Sequence, residues 1–275
     1  MKTDADRRIA KVLRRHWRNY RRLLQDCRRQ AGEKQVHDFR VASRRLLAAV
    51  TLCQLLKPDV RARRLQSAIK QALRGLNRLR DAQVMLREIQ ARLDDMPELE
   101  DFLGHLRRRE SELLKQAGKQ FKSINSGKLK RQLAKIRRCC AKKPLPEPAL
   151  ALSGAIGHVY AEVMARYLDA DSAQWDSLHK LRISLKQLRY IALAAADIKE
   201  FAPPTPAASL EELTTLLGDL QNAHVLQQEL QEFYPGGAPP EVESYFARQR
   251  RELIAQFEQR KAEIPALWRP DSSMR

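Results

Sequence analysis

The sequence predicts an all-α protein built as two four-helix bundles. Three observations carry that expectation. Apolar residues recur at helical spacing throughout, and no segment alternates as a strand would. One motif occurs twice: Val36-His37-Asp38-Phe39-Arg40-Val41-Ala42-Ser43-Arg44-Arg45-Leu46 returns as Leu178-His179-Lys180-Leu181-Arg182-Ile183-Ser184-Leu185-Lys186-Gln187-Leu188. Between the copies, Lys142-Lys143-Pro144-Leu145-Pro146-Glu147-Pro148 cannot continue a helix and divides the chain into residues 1–145 and 146–275.

The first helix carries Ile9, Leu13, Tyr20, Leu24 and Cys27 on one side and Lys11, Arg14, Arg18, Arg21 and Arg22 on another. The second spans about 33–56 and is stopped by Pro58. A third begins near Asp59 and keeps an apolar series through Leu65, Ile69, Leu73, Leu76, Leu79 and Leu86. Pro97 opens a fourth, and the basic run after Gly127 predicts a short connecting helix to Arg138. Four further helices are expected at about 148–169, 173–200, 206–233 and 239–263, separated by Pro203-Pro204-Thr205-Pro206 and Pro235-Gly236-Gly237-Ala238-Pro239-Pro240. Short breaks between long helices favour antiparallel neighbours.

Charge is uneven. The total is +19, but residues 1–145 hold 39 Lys and Arg against 15 Asp and Glu, while the remainder has 13 against 18. A segment that basic repels itself unless a polyanion or many counterions accompany it. The repeated motif puts the histidine, the +3 arginine and the +7 cation on one narrow helix face, with Phe39 and Leu46, or Leu181 and Leu188, on the other. Each copy is therefore a helix packed on one side and cationic on the other. Together they predict a duplicated domain that holds something polyanionic. The repeat extends further: Leu79-Arg80-Asp81-Ala82-Gln83-Val84 aligns with Leu220-Gln221-Asn222-Ala223-His224-Val225, at nearly the same distance from each histidine.

The start offers no apolar run for a signal peptide, and no stretch reaches the roughly 20 apolar residues of a membrane span. The four cysteines, 27, 53, 139 and 140, form no CxxC pair. A cytoplasmic protein without membrane contact is expected.

The chain resembles the CHAD family, the conserved-histidine α-helical domain. The resemblance rests on His37-x-x-Arg40-Val41-x-x-Arg44-Arg45-Leu46, Leu79-Arg80-Asp81-x-x-Val84, His179-x-x-Arg182-Ile183-x-x-Lys186-x-Leu188-Arg189-Tyr190 and Leu217-Gly218-Asp219-Leu220-x-Asn222, which span most of the chain. It implies two four-helix bundles related by approximate twofold symmetry, with a basic groove or pore between them that binds inorganic polyphosphate. It also implies a recruitment module found near polyphosphate-metabolising enzymes, and hence association with polyphosphate granules. The pattern departs from the family at Leu47, Asn77, Gln187 and Asn222.

On that reading His37, Arg40, Arg44, Arg45, His179, Arg182, Lys186 and Arg189 contact the polymer. Guanidinium groups fork onto phosphate oxygens, and lysine adds a point charge. Lys70, Arg74 and Arg78, at helical spacing on the third helix, are expected to form a second wall, and Arg14, Arg18 and Arg21 an extension. Asp81 and Asn222 are expected to orient neighbouring cations or histidines. No cofactor and no metal site are expected. Nor is catalysis: the sequence has no Walker loop, no HExxH and no ExExK signature. Nonspecific nucleic-acid binding is the rival, since phosphodiesters attract the same charges. Its weakness is an aromatic content of 6%, which offers few platforms for stacking bases.

Overall fold

A computed structural model describes residues 4–142, 145–198 and 207–268. These residues form ten α-helices and two short 3₁₀ turns, with no strand among them. In order the helices are α1 (Asp4–Arg29), α2 (Glu33–Leu56), α3 (Val60–Arg74), α4 (Asn77–Gln90), α5 (Glu100–Ser123), α6 (Ser126–Lys142), α7 (Pro148–Leu168), α8 (Trp175–Ala196), α9 (Ala207–Phe233) and α10 (Pro240–Arg260). The expected ends of the eighth and ninth helices at 199–200 and 206, and the Pro203–Pro206 break, lie outside the described residues.

The predicted apolar side of α1 is buried along its length, from Ile9 through Leu13, Tyr20 and Leu24 to Cys27. Trp17 and Tyr20 of α1, Phe39 of α2 and Phe121 of α5 stack in sequence at centroid separations of 5.6, 5.0 and 5.3 Å. Large rings burying their faces on three helices stabilise the N-terminal core through area and through tilted and edge contacts.

One expected helix is two. The apolar series from Leu65 to Leu86 suggests a continuous third helix, but the chain breaks at Gly75 and Leu76, between α3 and α4. Gln120 of α5 seals the break. Its Nε2 donates to Ala72 O at 2.9 Å, satisfying a carbonyl left without a helical partner at the end of α3. A Cβ on Gly75 would lie 2.5 Å from Gln120 Oε1, so a larger residue would push this amide away. The matching stretch of the second repeat, around Gly218, runs unbroken inside α9. Lys70 and Arg74 therefore stand on one helix and Arg78 on the next. The stripe expected on a single helix is divided.

α2 is the central element. It packs on α1, α3, α7 and α8, while α4 packs on α5 and α9. The repeat helices thus meet across the chain, α2 against α8 and α4 against α9. Buried residues of both halves form one continuous apolar core. At the boundary, Leu145 is buried, and its N–H donates to the Asp6 carboxylate, which also takes a bond from Lys57. No described helix is long and apolar enough to cross a membrane.

Candidate functional site

Because α2 is covered on several sides, the cations on its basic face cannot all reach water. Arg40 is only 6% exposed. Its Nη1 donates to Asn77 Oδ1 at 3.1 Å and, more distantly, to Leu73 O at 3.4 Å. These bonds anchor α2 to the α3–α4 break. Burial lowers its pKa to about 10, with Arg44 adding to the effect and Asp81 opposing it.

Arg44, one turn further along α2, is half-buried and acts electrostatically on Arg182, Lys186, Arg80 and Arg40. Arg182 and Lys186 come from α8, and Arg80 from α4. Burial is the main cause of the lowered pKa of Arg182 and of Arg80. Arg44 adds to the first and Arg87 to the second. Lys186 is brought down to about 7 by burial first, then by Arg182, Arg44, Arg80 and Arg40. Five cations from three helices thus crowd one seam.

Two carboxylates face them. Asp81 of α4 lies within the fields of Arg40, Arg80, Arg182 and Lys186. Its pKa is nevertheless raised, because burial outweighs the cations. Asp219 of α9 behaves likewise: burial raises it and Lys186 opposes. Asp81 and Asp219 cannot neutralise five cations, Glu33 near Arg80 is itself paired with Arg87, and the donors are not exhausted. Arg182 Nε and Arg80 Nη1 are fully buried with no hydrogen-bond acceptor among the described residues. A buried guanidinium N–H without an acceptor is costly, so such groups are expected to receive one from a ligand or water.

The histidines stand differently. His37 is exposed. His179 is half-buried, and its Nδ1–H donates to Gln221 Oε1 at 2.6 Å. His224 stacks on Trp175 with centroids 4.1 Å apart, and Trp175 also touches the His179 ring. Gln221 occupies the register of Arg80 in the other repeat. One repeat thus spends this position on holding a histidine and the other on adding a cation.

Other candidates are exposed or have partners outside the cluster of five cations. Arg45 is exposed and lines a hollow of about 580 Å³ with Arg15, His16, Tyr190 and Asp197. In it, Asp197 accepts from His16 and pairs with Arg15. Arg189 pairs with Glu211 of α9. Lys70, Arg74 and Arg78 are exposed. Asn222 lies in a crevice with Asp219, Glu88 and Gln249, between α4, α9 and α10. Arg14, Arg18 and Arg21 line a cleft whose other wall is α6. Arg80 and Asp219 join the site without having been expected from the motif pattern. Both lie inside the repeated motifs, beside Asp81 and Gly218, so position was the available signal. Arg80 has no cationic counterpart in the second repeat, which hid it.

An all-helical fold with repeat helices meeting at a cationic seam defines a class of protein, and comparison identifies the class. Residues 8–231 match the family model of the CHAD domain, and this chain belongs to the CHAD family. The fold is similar to the crystal structure of the CHAD domain from the plant Ricinus communis. The TM-score is 0.69 at 19% identity, over 97% of this chain and 92% of that one. No curated protein matches the chain.

Proposed function

We propose that this chain binds inorganic polyphosphate at the α2–α8 seam and serves as a non-catalytic recruitment module, in the cytoplasm and at polyphosphate granules. The two halves are read as bundles related by an approximate twofold axis, with the basic groove between them. The meeting of α2 with α8 and of α4 with α9 supports that reading. One observation carries the function. Buried guanidinium N–H groups of Arg182 and Arg80 have no acceptor among the described residues, in a cluster whose cations outnumber its carboxylates. A chain of condensed phosphates offers about one negative charge per unit and acceptor oxygens on every unit, with no base edges to be read. Arg44, Arg182 and Lys186 supply charge to it, and Arg40 and Asp81 hold the arrangement in register.

The test is a titration with polyphosphates of graded length, with single-stranded nucleic acid as competitor. Polyphosphate is expected to displace nucleic acid at far lower phosphate concentration than the reverse. Affinity should fall steeply with salt as counterions are released. Arg44→Ala combined with Arg182→Ala should weaken binding at least tenfold, since each charge-assisted contact contributes about 1.5–3 kcal/mol. An affinity unchanged within twofold in this double variant, or an equal preference for nucleic acid, rejects the assignment.

A further inference from the structure

The arginines of α1 divide into two sets. Arg15 pairs with Asp197, Arg22 with Asp26, and Arg28 donates to the carbonyls of Phe121 and Ile124. Arg14, Arg18 and Arg21 have no acceptor among the described residues. They look across a cleft of about 360 Å³ at Lys130 and Arg137 of α6. α6 contains no Asp or Glu, and no described carboxylate lines the cleft. Arg137 Nε is fully buried with no acceptor among the described residues. Burial first, and then Arg14, lowers the pKa of this guanidinium. Two like-charged helix faces are therefore held against each other, an arrangement that a bound anion relieves.

These cations are a group of their own. The cations acting on Arg40, Arg80, Arg182 and Lys186 are one another, Arg44 and Arg87. The cation acting on Arg137 is Arg14. The cleft is thus electrostatically separate from the α2–α8 seam rather than an extension of it.

The walls select the kind of anion. Trp17 and Leu133 border the cleft but are only 7% and 2% exposed, so they offer no open ring or apolar floor on which a base could stack. Arg14 to Arg21, and Lys130 to Arg137, each extend over about 10 Å of helix. A nucleic-acid strand carries one charge per roughly 3.4 Å, or about three along that length. Its bases would have to be accommodated as well. Condensed inorganic phosphate carries a charge on each unit with a single bridging oxygen between units, and has no bulky group. It brings more negative charge into a narrow basic cleft than a nucleic-acid strand does. Orthophosphate is too short to meet both ends of the two rows.

We propose that the α1–α6 cleft is a second site for condensed inorganic phosphate, so that one protein molecule holds two polymer segments. Arg14, Arg18 and Arg21 form one wall, and Lys130 and Arg137 the other. This deepens the reading of the seam, on which it rests only for the identity of the polymer.

The test is tripolyphosphate protection of Lys130 against acetylation, read by mass spectrometry on the full chain in magnesium-free buffer. Lys130 should be protected saturably, while Lys115, exposed on α5, stays labelled. Arg14→Ala with Arg18→Ala, both at exposed positions, should raise the half-protecting concentration roughly tenfold or more with unchanged circular dichroism. Arg44→Ala with Arg182→Ala, in the seam, should leave that concentration within about twofold. Orthophosphate, ATP and a ten-nucleotide single strand should each protect Lys130 no better than tripolyphosphate at equal phosphate concentration. The proposal is overturned if tripolyphosphate leaves Lys130 labelled or if orthophosphate protects it equally. It is also overturned if the seam pair abolishes protection that the α1 pair retains, or if ATP or the single strand protects at lower phosphate concentration. Failure of the seam reading looks different: long polyphosphate then binds the seam pair as tightly as wild type, while the α1 pair alone weakens it.

Discussion

Lys186 offers the most direct test of whether the seam is built for a ligand rather than for stability. Its ammonium is held at a pKa of about 7, against an ordinary 10.5, chiefly by burial and then by the surrounding arginines. The unfolded chain therefore binds more protons than the folded one between pH 7 and 10.5. Stability attributable to this group must rise with pH across that window. Below pH 7 both states are protonated, and the fold bears the whole cost of the charge, at most about 5 kcal/mol. Relaxation and screening reduce what a measurement would recover to about 2 kcal/mol. Lys186→Met keeps the length of the side chain and discards the charge. At pH 6.5 without ligand it should raise the unfolding temperature by roughly 4–8 °C. The rise in stability from pH 7 to 10 should flatten, and polyphosphate affinity should fall. A bound polyanion restores the lysine proton, so wild-type binding should take up protons above pH 7, more at pH 8 than at pH 7. Calorimetry in buffers of different ionisation enthalpy measures that uptake. A methionine variant that unfolds at a lower temperature, with the wild-type pH slope intact and no proton uptake in wild type, would refute the reasoning.

Other substitutions separate support from contact. Arg40→Ala should destabilise the protein by about 1–3 kcal/mol in denaturant titration, because Asn77 and the end of α3 lose their buried partner. Asp81→Asn discards a carboxylate whose charged form the fold disfavours, because burial outweighs the facing cations; thermal unfolding without ligand should come no earlier than in wild type, and polyphosphate affinity in titration should rise as a competing negative charge leaves the seam. Glu229, 6% exposed between Arg109 and His105, ties α9 to α5, so Glu229→Gln should cost about 2–4 kcal/mol. A change under 0.5 kcal/mol in chemical denaturation would remove that pair from the account of stability.

Helix content was legible because each apolar face repeats at helical spacing, and the core stripe of α1 is buried where its sequence places it. The division of the third helix was not. Local apolar spacing continues through Leu73, Leu76 and Leu79, and the side chain that seals the break, Gln120, lies 45 positions after Gly75. At the site, Arg40, Arg44, Arg182, Lys186 and Asp81 were visible as a repeated register, and the structure brings them within each other's fields. Arg45 and Arg189 belong to the same repeated segments yet turn elsewhere, towards the Asp197 hollow and Glu211. One residue of helical rotation is enough to move a side chain from a seam to a different neighbour.

By itself the sequence determined that the chain is helical, that its basic helix occurs twice, and that its first half carries excess positive charge. Those properties follow from local spacing and composition. Only the tertiary structure decided which cations lose water, because burial depends on what packs over a helix face. By setting α8 against α2, it lowers the pKa of Lys186 and leaves Arg182 and Arg80 with buried N–H groups lacking acceptors among the described residues. By setting α6 against α1, it turns a charged surface stripe into a separate cleft.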